Sequence, residues 1–403
     1  SPSSCIFIII RRNIMIAIIN GNIVQEHGIL KDHALLIEQE RIYDIVPQAK
    51  LASMRIDEVY NAYGGYITPG FIDMHSDHIE AMAAPRPSSI MDMELAVYEF
   101  EKECCTHGIT TMFHSVSIWE GVGASPMRRP ELVRQLADII EKSHTQLHLI
   151  HHRFHMRFEI DNQKQFPLML DYLRQKRVHL ISFMDHTPGQ GQYRNIEVYK
   201  SYVRNARSMS EEEVAEEVAR RMNSDKLTLE NMQTAARLAK AQDISIASHD
   251  DDTIEKLDVV QKFGATISEF PITLEVAREA KKRGMYTVVG APNILLGGSH
   301  SGNMNAADAI AQDAADILCS DYYPASLLHA VFQMTKKGQR LEEMVNKVTI
   351  HPARATGIDR DYGSIEKGKK ADLLIIRILP NELPAITEVF VDGMCIAQNH
   401  YRV

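Results

Sequence analysis

Eight short apolar runs, separated mostly by segments with helical spacing, fill the middle of this chain and constrain its fold more than any other feature. Their lengths suit strands, and an alternation of strands with helices is typical of parallel α/β proteins. Eight such units predict a closed (β/α)8 barrel. The runs are Phe71 to Asp77, Ile109 to Val116, Leu147 to Glu159, Val178 to His186, Ile244 to His249, Ala265 to Phe270, Tyr286 to Ala291 and Ile317 to Asp321. The third run is long enough to be two elements, which would shift the later strand numbers by one.

Both ends of the chain are β-rich, with β-branched runs divided by turn pairs such as Asn20-Gly21 and Asp392-Gly393. We therefore expect an α/β protein in which residues 14–66 and 365–403 form a small composite β-sandwich around a barrel at 67–364. An insertion of two helices is predicted at about 196–242, where Ser210 and Glu213 form a capping box. Residues 1–13 are interpreted as a leader without a predicted element.

Composition excludes several classes of function. The chain has 403 residues and a formal net charge of -9, which argues against a nucleic-acid partner. Its five cysteines follow no spacing rule, and its only apolar leader run is too short to cross a membrane, so a cytoplasmic protein is expected. Phosphate-binding, dinucleotide-binding and zincin motifs are not found in the sequence.

Six of the polar residues at the ends of the predicted strands are metal-ligand types. Because active sites of such barrels lie at the carboxyl ends of the strands, these side chains should converge on one mouth. They are His75, Asp77, Glu159, His186, His249 and Asp321. Six ligands exceed the needs of one zinc ion and predict two divalent ions that share a carboxylate, with Glu159 as the bridge. Zinc is the first choice, with iron or manganese as alternatives, since mixed imidazole and carboxylate ligands suit all three.

Several motifs together resemble the amidohydrolase superfamily over nearly the whole chain. They are the segment from Pro69 to His75, the strand-end Asp321, the tail from Gly363 to Asp372, and His351-Pro352-Ala353 where the superfamily usually has Asn-Pro-Ala. The resemblance implies a metal-dependent hydrolase barrel with a composite β-sandwich. The chain departs from it at the first strand, where the usual His-x-His is His75-Ser76-Asp77. This departure puts the usual hydrolysis of cyclic amides in doubt.

A narrower resemblance is to the diphosphatases of the carbon-phosphorus lyase pathway for phosphonate breakdown. It rests on five blocks in order: His75 to Asp77, Ser182 to Gln190, Ser248 to Asp251, Gly290 to Asn293 and Gly297 to Asn303. The resemblance implies cleavage of α-D-ribose 1-methylphosphonate 5-triphosphate to the 5-phosphate and diphosphate.

Such a substrate carries about four negative charges that the protein must hold. Arginines near the predicted mouth are the candidates, namely Arg86, Arg153, Arg157 and Arg194. The loop of small residues from Gly297 to Asn303 could bind an anion through its backbone and through Ser299, His300, Ser301 and Asn303. Asp321 is the expected catalytic base, and His300 is a second catalytic candidate as donor or proton carrier.

Two alternatives remain open from the sequence. The chain could be an amidohydrolase acting on an N-acyl or cyclic amide, which predicts a pocket without an arginine lining. It could also be a non-catalytic barrel within a larger phosphonate-processing assembly, although all six candidate ligands are intact. The expected partner is a small phosphorylated molecule, and a homo-oligomer is left open.

Overall fold

The computed structural model describes residues 14–86, 88–120, 124–189, 191–193, 195–207, 209–298 and 303–402. The predicted leader lies outside these ranges. So do Arg194 and the loop residues Ser299, His300 and Ser301. Within these ranges the chain forms one eight-stranded sheet and two smaller sheets of four and six strands.

The amino-terminal part of the chain consists of short strands rich in β-branched residues. They are β1 (Met15–Ile19), β2 (Asn22–Gln25), β3 (Gly28–Leu30), β4 (His33–Glu38), β5 (Arg41–Pro47), β6 (Glu58–Asn61) and β7 (Tyr66–Pro69). Four of them form one sheet in the order β5-β4-β1-β6. The predicted domain boundary at 66/67 falls within β7. Tyr66 is on the terminal side of this boundary, and Ile67 to Pro69 are on the barrel side.

All eight predicted barrel strands are present. They are β8 (Phe71–Ser76), β9 (Ile109–Ser117), β10 (His151–Glu159), β11 (Leu180–Met184), β12 (Ser245–His249), β13 (Ile267–Glu269), β14 (Tyr286–Gly290) and β15 (Ile317–Cys319). Each strand is parallel to the next, and a bridge between Ser76 and Asp321 links the last strand end to the first. The third run is a single strand that starts at His151 rather than Leu147, so the strand numbers do not shift.

Inward-facing apolar side chains fill the barrel, as expected for parallel strands buried on both faces. Ile72, Leu180, Ala247, Ile267 and Val288 belong to this inner cluster, and each is at most 1% exposed. A closed and tightly packed interior holds the strand ends in fixed positions, so the polar residues there share one rigid frame.

Strands from the two chain ends share the six-stranded sheet. The last three strands are β16 (Leu373–Ile378), β17 (Pro384–Val391) and β18 (Met394–Gln398). The sheet order is β18-β17-β16-β7-β2-β3, with Ile67 of β7 opposite Ile375 of β16. Asp392 and Gly393 both have positive φ, as the predicted two-residue hairpin turn requires. The predicted composite of both termini is therefore built around β7.

Helices follow most strands and cover the outside of the barrel. They are α1 (His78–Ala83), α2 (Met93–Thr106), α3 (Pro130–Ser143), α4 (Phe166–Arg174), α5 (Ile196–Arg207), α6 (Glu211–Met222), α7 (Leu229–Ala241), α8 (Ile254–Lys262), α9 (Leu274–Lys282), α10 (Ala291–Leu296), α11 (Ala306–Ala311), α12 (Ser326–Lys336), α13 (Leu341–Asn346) and α14 (Ile350–Ala355). The inserted helices are α5 and α6, followed by α7, which leads into β12.

The predicted capping box at the start of α6 is present. The Ser210 hydroxyl accepts a hydrogen bond from the Glu213 N–H at 3.2 Å, and the Glu213 carboxylate accepts one from the Ser210 N–H at 2.7 Å. Together they satisfy two backbone donors that the first turn would otherwise leave free. The insertion also has a small core of its own, which includes Tyr199, Val203 and Val214.

Candidate metal centre at the barrel mouth

His75 projects from the end of β8 into a buried site. Its Nδ1 lies 3.0 Å from Oε1 of Glu269 on β13, whereas its buried Nε2 has no hydrogen-bond partner among the described residues. Burial lowers the pKa of His75 well below its usual value, so the ring is neutral. A neutral imidazole held at one nitrogen by a carboxylate presents the other nitrogen as a metal ligand.

His249, at the end of β12, faces His75 across the mouth with ring centroids 5.6 Å apart. Both of its ring nitrogens are buried, and neither has a hydrogen-bond partner in the part of the chain that the structure describes. Its Nδ1 lies 3.1 Å from Oδ2 of Asp250, which occupies the left-handed region at φ 52°. This backbone conformation turns the carboxylate of Asp250 toward the imidazoles.

His186 and Glu159 extend the cluster from the neighbouring strands. Nδ1 of His186 lies 2.5 Å from Oε1 of Glu159, and its Nε2 lies 3.3 Å from Oδ2 of Asp250. Burial alone would lower the pKa of His186, but the carboxylates of Glu159 and Asp250 outweigh it and raise the pKa to about 9. The pKa of Glu159 falls to about 2 in spite of its burial because of His186 and nearby arginines. These groups therefore form a charged chain of imidazole and carboxylates.

Asp77 and Asp321 meet where the barrel closes. The Asp77 N–H donates to the Asp321 carbonyl at 2.8 Å, and the Asp321 N–H donates to the His75 carbonyl at 3.0 Å. Asp321 has a φ of 57°, in the left-handed region. Burial, followed by the nearby Asp77 carboxylate, raises the pKa of Asp321 to about 7. Barrel closure thus brings two predicted ligands together from opposite ends of the barrel sequence.

The donor set fits divalent ions. Two groups of potential ligands lie at the mouth, and within each group the ligand atoms are within 4.8 Å of one another. One group is His75, His249 and Glu269, and the other is His186, His249 and Asp250. Protein interiors rarely leave buried polar atoms without partners, yet within the described ranges Nε2 of His75 and both nitrogens of His249 have no hydrogen-bond partner. Metal ions would satisfy these atoms. Imidazole and carboxylate donors are those that zinc and the neighbouring transition metals prefer.

Two residues in these groups, Glu269 and Asp250, are absent from the six predicted ligands. Glu269 is the last residue of β13, and it also accepts a hydrogen bond from the Ser182 hydroxyl at 2.7 Å. Asp250 directly follows the predicted ligand His249. Glu269 could have been predicted from the sequence, because it lies at the end of the sixth predicted strand and glutamate is a metal-ligand type like histidine.

Two of the four predicted arginines occupy very different positions. Arg157 lies near the end of β10, where its Nη1 is 3.5 Å from Oδ2 of Asp77. Arg86 is an exposed residue of the loop after α1, beside Ser89. Of Arg157 and Arg86, only Arg157 contacts a predicted metal ligand. Arg194, the fourth candidate, lies outside the described residues.

Arg153 is on the same strand as Arg157 but at its other end. Its guanidinium carbon lies 5.8 Å from the ring centroid of Phe113, and burial lowers its pKa. Residues four apart in a strand face the same side but are separated by about 13 Å along it. Arg153 therefore lies near the floor of the barrel rather than at the mouth, where the sequence placed it as a candidate for holding the anion.

The small-residue loop is described only at its edges. Gly297 adopts a φ of 77° as the left-handed residue that ends α10. Asn303 is half-buried just ahead of α11. Ser299, His300 and Ser301 lie outside the described residues, so their predicted roles stay predictions.

In the part of the chain that the structure describes, no helix is both long and apolar enough to cross a membrane.

Comparisons with known proteins agree with this architecture. Residues 66–397 match the Amidohydrolase family, and residues 15–58 match the NagA composite domain. The chain is 34% identical over 333 residues to the alpha-D-ribose 1-methylphosphonate 5-triphosphate diphosphatase of Escherichia coli (strain K12), covering 82% of this chain and 88% of that protein.

Solved structures share the fold at low identity. The L-hydantoinase (dihydropyrimidinase) of Arthrobacter aurescens has a TM-score of 0.64 and 13% identity, over 96% of this chain and 97% of that one. The N-acetylglucosamine-6-phosphate deacetylase of Pasteurella multocida has a TM-score of 0.60 and 13% identity, over 96% and 100%. The barrel, the composite terminal sheet and the extent of the family match lead to one conclusion: this chain belongs to the amidohydrolase family.

Proposed function

We propose that this protein is a metal-dependent diphosphatase that hydrolyses α-D-ribose 1-methylphosphonate 5-triphosphate to the 5-phosphate and diphosphate in phosphonate breakdown. The observation that carries the proposal is the 34% identity to a diphosphatase of that name over most of both chains. The mouth of the barrel supports it, because buried ligand atoms there have no partner among the described residues and the cation of Arg157 lies 3.5 Å from Asp77. A cation at this position suits a polyanionic substrate.

His75, His186 and His249 would hold two divalent ions, together with carboxylates from Asp77, Glu159, Asp250, Glu269 and Asp321. The two ligand groups meet at His249, which favours neighbouring ions rather than distant sites. Zinc remains the first choice, with iron or manganese as alternatives. Such ions, when bound, lower the pKa of water and offset the negative charge that develops on the phosphoryl oxygens.

The side chains of the protein itself orient and move the reacting groups. Glu269 fixes the ring of His75 through Nδ1, which keeps Nε2 directed into the site. Arg157 binds phosphoryl oxygens at the rim and neutralises part of their charge. Asp321 accepts a proton from the attacking water as the oxygen of this water bonds to the α-phosphorus. The α–β anhydride bond then breaks, and its electron pair leaves with diphosphate.

A substrate panel tests this proposal. We expect the protein, assayed with its divalent ions, to hydrolyse the sugar triphosphate far faster than N-acyl or cyclic amides. The matched control is the 5-diphosphate of the same sugar, which keeps the sugar and shortens the polyphosphate. Hydrolysis of an amide in preference to the triphosphate would establish the amidohydrolase alternative. A protein that binds ions and hydrolyses nothing in the panel would contradict the diphosphatase proposal.

A further inference from the structure

The inserted helix α6 carries a buried arginine into the neighbourhood of the metal centre. Arg221 is only 4% exposed, although its guanidinium is a full positive charge. A buried charge is strongly destabilising unless partners compensate it. The contacts of Arg221 therefore show what this part of the insertion is built to hold.

Arg221 contacts two carboxylates and one aromatic ring. Its Nη2 donates to Oε2 of Glu159 at 3.2 Å, and its Nε donates to Oδ2 of Asp161 at 3.2 Å. Its guanidinium carbon lies 5.0 Å from the ring centroid of Trp119. Trp119 and Asp161 belong to the loops after β9 and β10, so Arg221 connects the insertion to two adjacent strand ends.

The two oxygens of Glu159 have different partners as a result. Oε1 lies 2.5 Å from Nδ1 of His186, on the side of the metal centre, and Oε2 faces Arg221. A carboxylate fixed at one oxygen cannot rotate freely, so the other oxygen keeps a defined direction. Hydrogen-bond partners behind a ligand carboxylate affect metal affinity by about 10- to 100-fold.

We propose that Arg221 is a positioning residue: it holds Oε2 of Glu159 so that Oε1 stays directed at the metal centre. The insertion is then a structural part of that centre rather than an appendage. This inference rests on the proposed function only in placing Glu159 at the metal centre. It concerns ion binding and does not depend on which substrate is hydrolysed.

Arg220 offers a matched control on the same helix. It also lies over the ring of Trp119, at 5.7 Å, but it pairs with Glu217 at 2.7 and 2.8 Å. Its side chain is 49% exposed. Arg220 thus shares the charge, the helix and the aromatic contact of Arg221, and lacks the contact with Glu159.

The experiment compares metal affinity in Arg221→Met, Arg221→Lys and Arg220→Met. Zinc binding is measured by competition with a chelator of known affinity, and melting temperature and turnover are recorded in parallel. We expect Arg221→Met to weaken zinc binding by about tenfold or more. Arg221→Lys should recover part of this loss, because an ammonium keeps the charge but cannot serve both carboxylates in the same geometry. Arg220→Met should bind zinc like the parent.

The outcomes separate this inference from the proposed function. Equal zinc affinity in Arg221→Met and the parent would overturn the positioning role, even if the parent hydrolyses the triphosphate. If Arg221→Met does not fold, Arg221→Lys decides the question alone. A parent that binds zinc but does not cleave the triphosphate would refute the function and leave the affinity comparison valid.

Discussion

Strand β10 links two histidine–carboxylate clusters that look alike in sequence but differ in what they can bind. Its first residue, His151, belongs to a cluster at the barrel floor, and its last, Glu159, belongs to the cluster at the mouth. Eight steps of about 3.3 Å separate them by roughly 26 Å. The floor group combines His151 with Asp372 and Asp392, whereas each of the two ligand groups at the mouth combines two histidines with one carboxylate.

The floor cluster is already balanced by cations of the protein. Nε2 of His151 lies 3.0 Å from Oδ2 of Asp372, and Nζ of Lys370 lies 3.1 Å from Oδ1 of Asp392. Although burial would lower it, the pKa of His151 is raised by Asp372 and Asp392. This cluster is an ion-pair joint between the barrel and the composite terminal sheet.

The mouth cluster differs in two ring nitrogens that have no carboxylate partner. Within the described residues, Nε2 of His75 and Nε2 of His249 have neither a hydrogen-bond partner nor an ion-pair partner, whereas Nε2 of His151 has Asp372. Burial also lowers the pKa of His75 well below its usual value. The comparison teaches that residue types alone do not identify a metal site. Ring nitrogens without a carboxylate partner, such as Nε2 of His75 and of His249, distinguish the candidate ion site from the ion pairs at the floor.

Removal of a histidine from each cluster gives the largest expected contrast. His249→Asn should lose ion binding and lower triphosphate turnover by at least about a thousandfold, since the ions supply several kcal/mol of transition-state stabilisation. His151→Asn should keep the ion content and rate of the parent. Metal analysis of both purified variants, with rates, checks this. Loss of ions from His151→Asn alone would reverse the assignment of the two clusters.

Asp321→Asn separates proton transfer from ion binding within the mouth. The amide keeps the shape of the side chain and removes the base, so turnover should fall by at least about a hundredfold. Ion content should fall less than in His249→Asn. An Asn variant that holds two ions and keeps near the parent rate would show that Asp321 does not accept the proton. His300 would then be the next candidate.

The two arginines of β10 extend the comparison to substrate binding. Arg157→Met should lower triphosphate turnover by roughly tenfold to a hundredfold, the scale of a lost charge-assisted contact of about 1.5 to 3 kcal/mol. Arg153→Met removes the same group from the floor end and should leave turnover unchanged. Steady-state kinetics of the two variants provide the measurement. Equal rates for Arg157→Met and the parent would mean that the anion is held elsewhere.

The ion pair of His151 at the barrel floor should affect the stability of the fold rather than the rate of hydrolysis. The folded-state pKa of His151 is raised, so its ion pair stabilises the fold fully below the ordinary histidine pKa of about 6.5. That contribution is lost as the pH rises through the raised value. His151→Asn should therefore lower the free energy of unfolding more at acidic than at alkaline pH. Denaturant titrations at several pH values would contradict this if the difference stayed constant.

The fold could be predicted from the sequence because its signals are local. Each apolar run and each turn pair acts over a few residues, and all eight barrel strands follow. The residues of the site were harder to predict from the sequence. Glu269 matters because it reaches His75, which is 194 positions away in sequence. The position of Glu269 at a strand end was visible in the sequence, but its contact with His75 depends on barrel closure, and no periodicity encodes it.

The arginines show the same limit in another form. Period-two alternation places Arg153 and Arg157 on one face of the strand, but which of them reaches the mouth depended on whether the long third run was one strand or two. Arg221 is on an insertion helix whose sequence predicts only an amphipathic element. Its contact with Glu159 depends on how that helix packs against the strand ends.

Phosphorus NMR of the sugar triphosphate during turnover tests the central claim most directly. With divalent ions present, we expect the 5-phosphate and diphosphate to appear together in equal amounts. Removal of the ions by chelation should stop the reaction, and their return should restore it. Orthophosphate as the first product, or turnover that continues undiminished without the ions, would contradict the account.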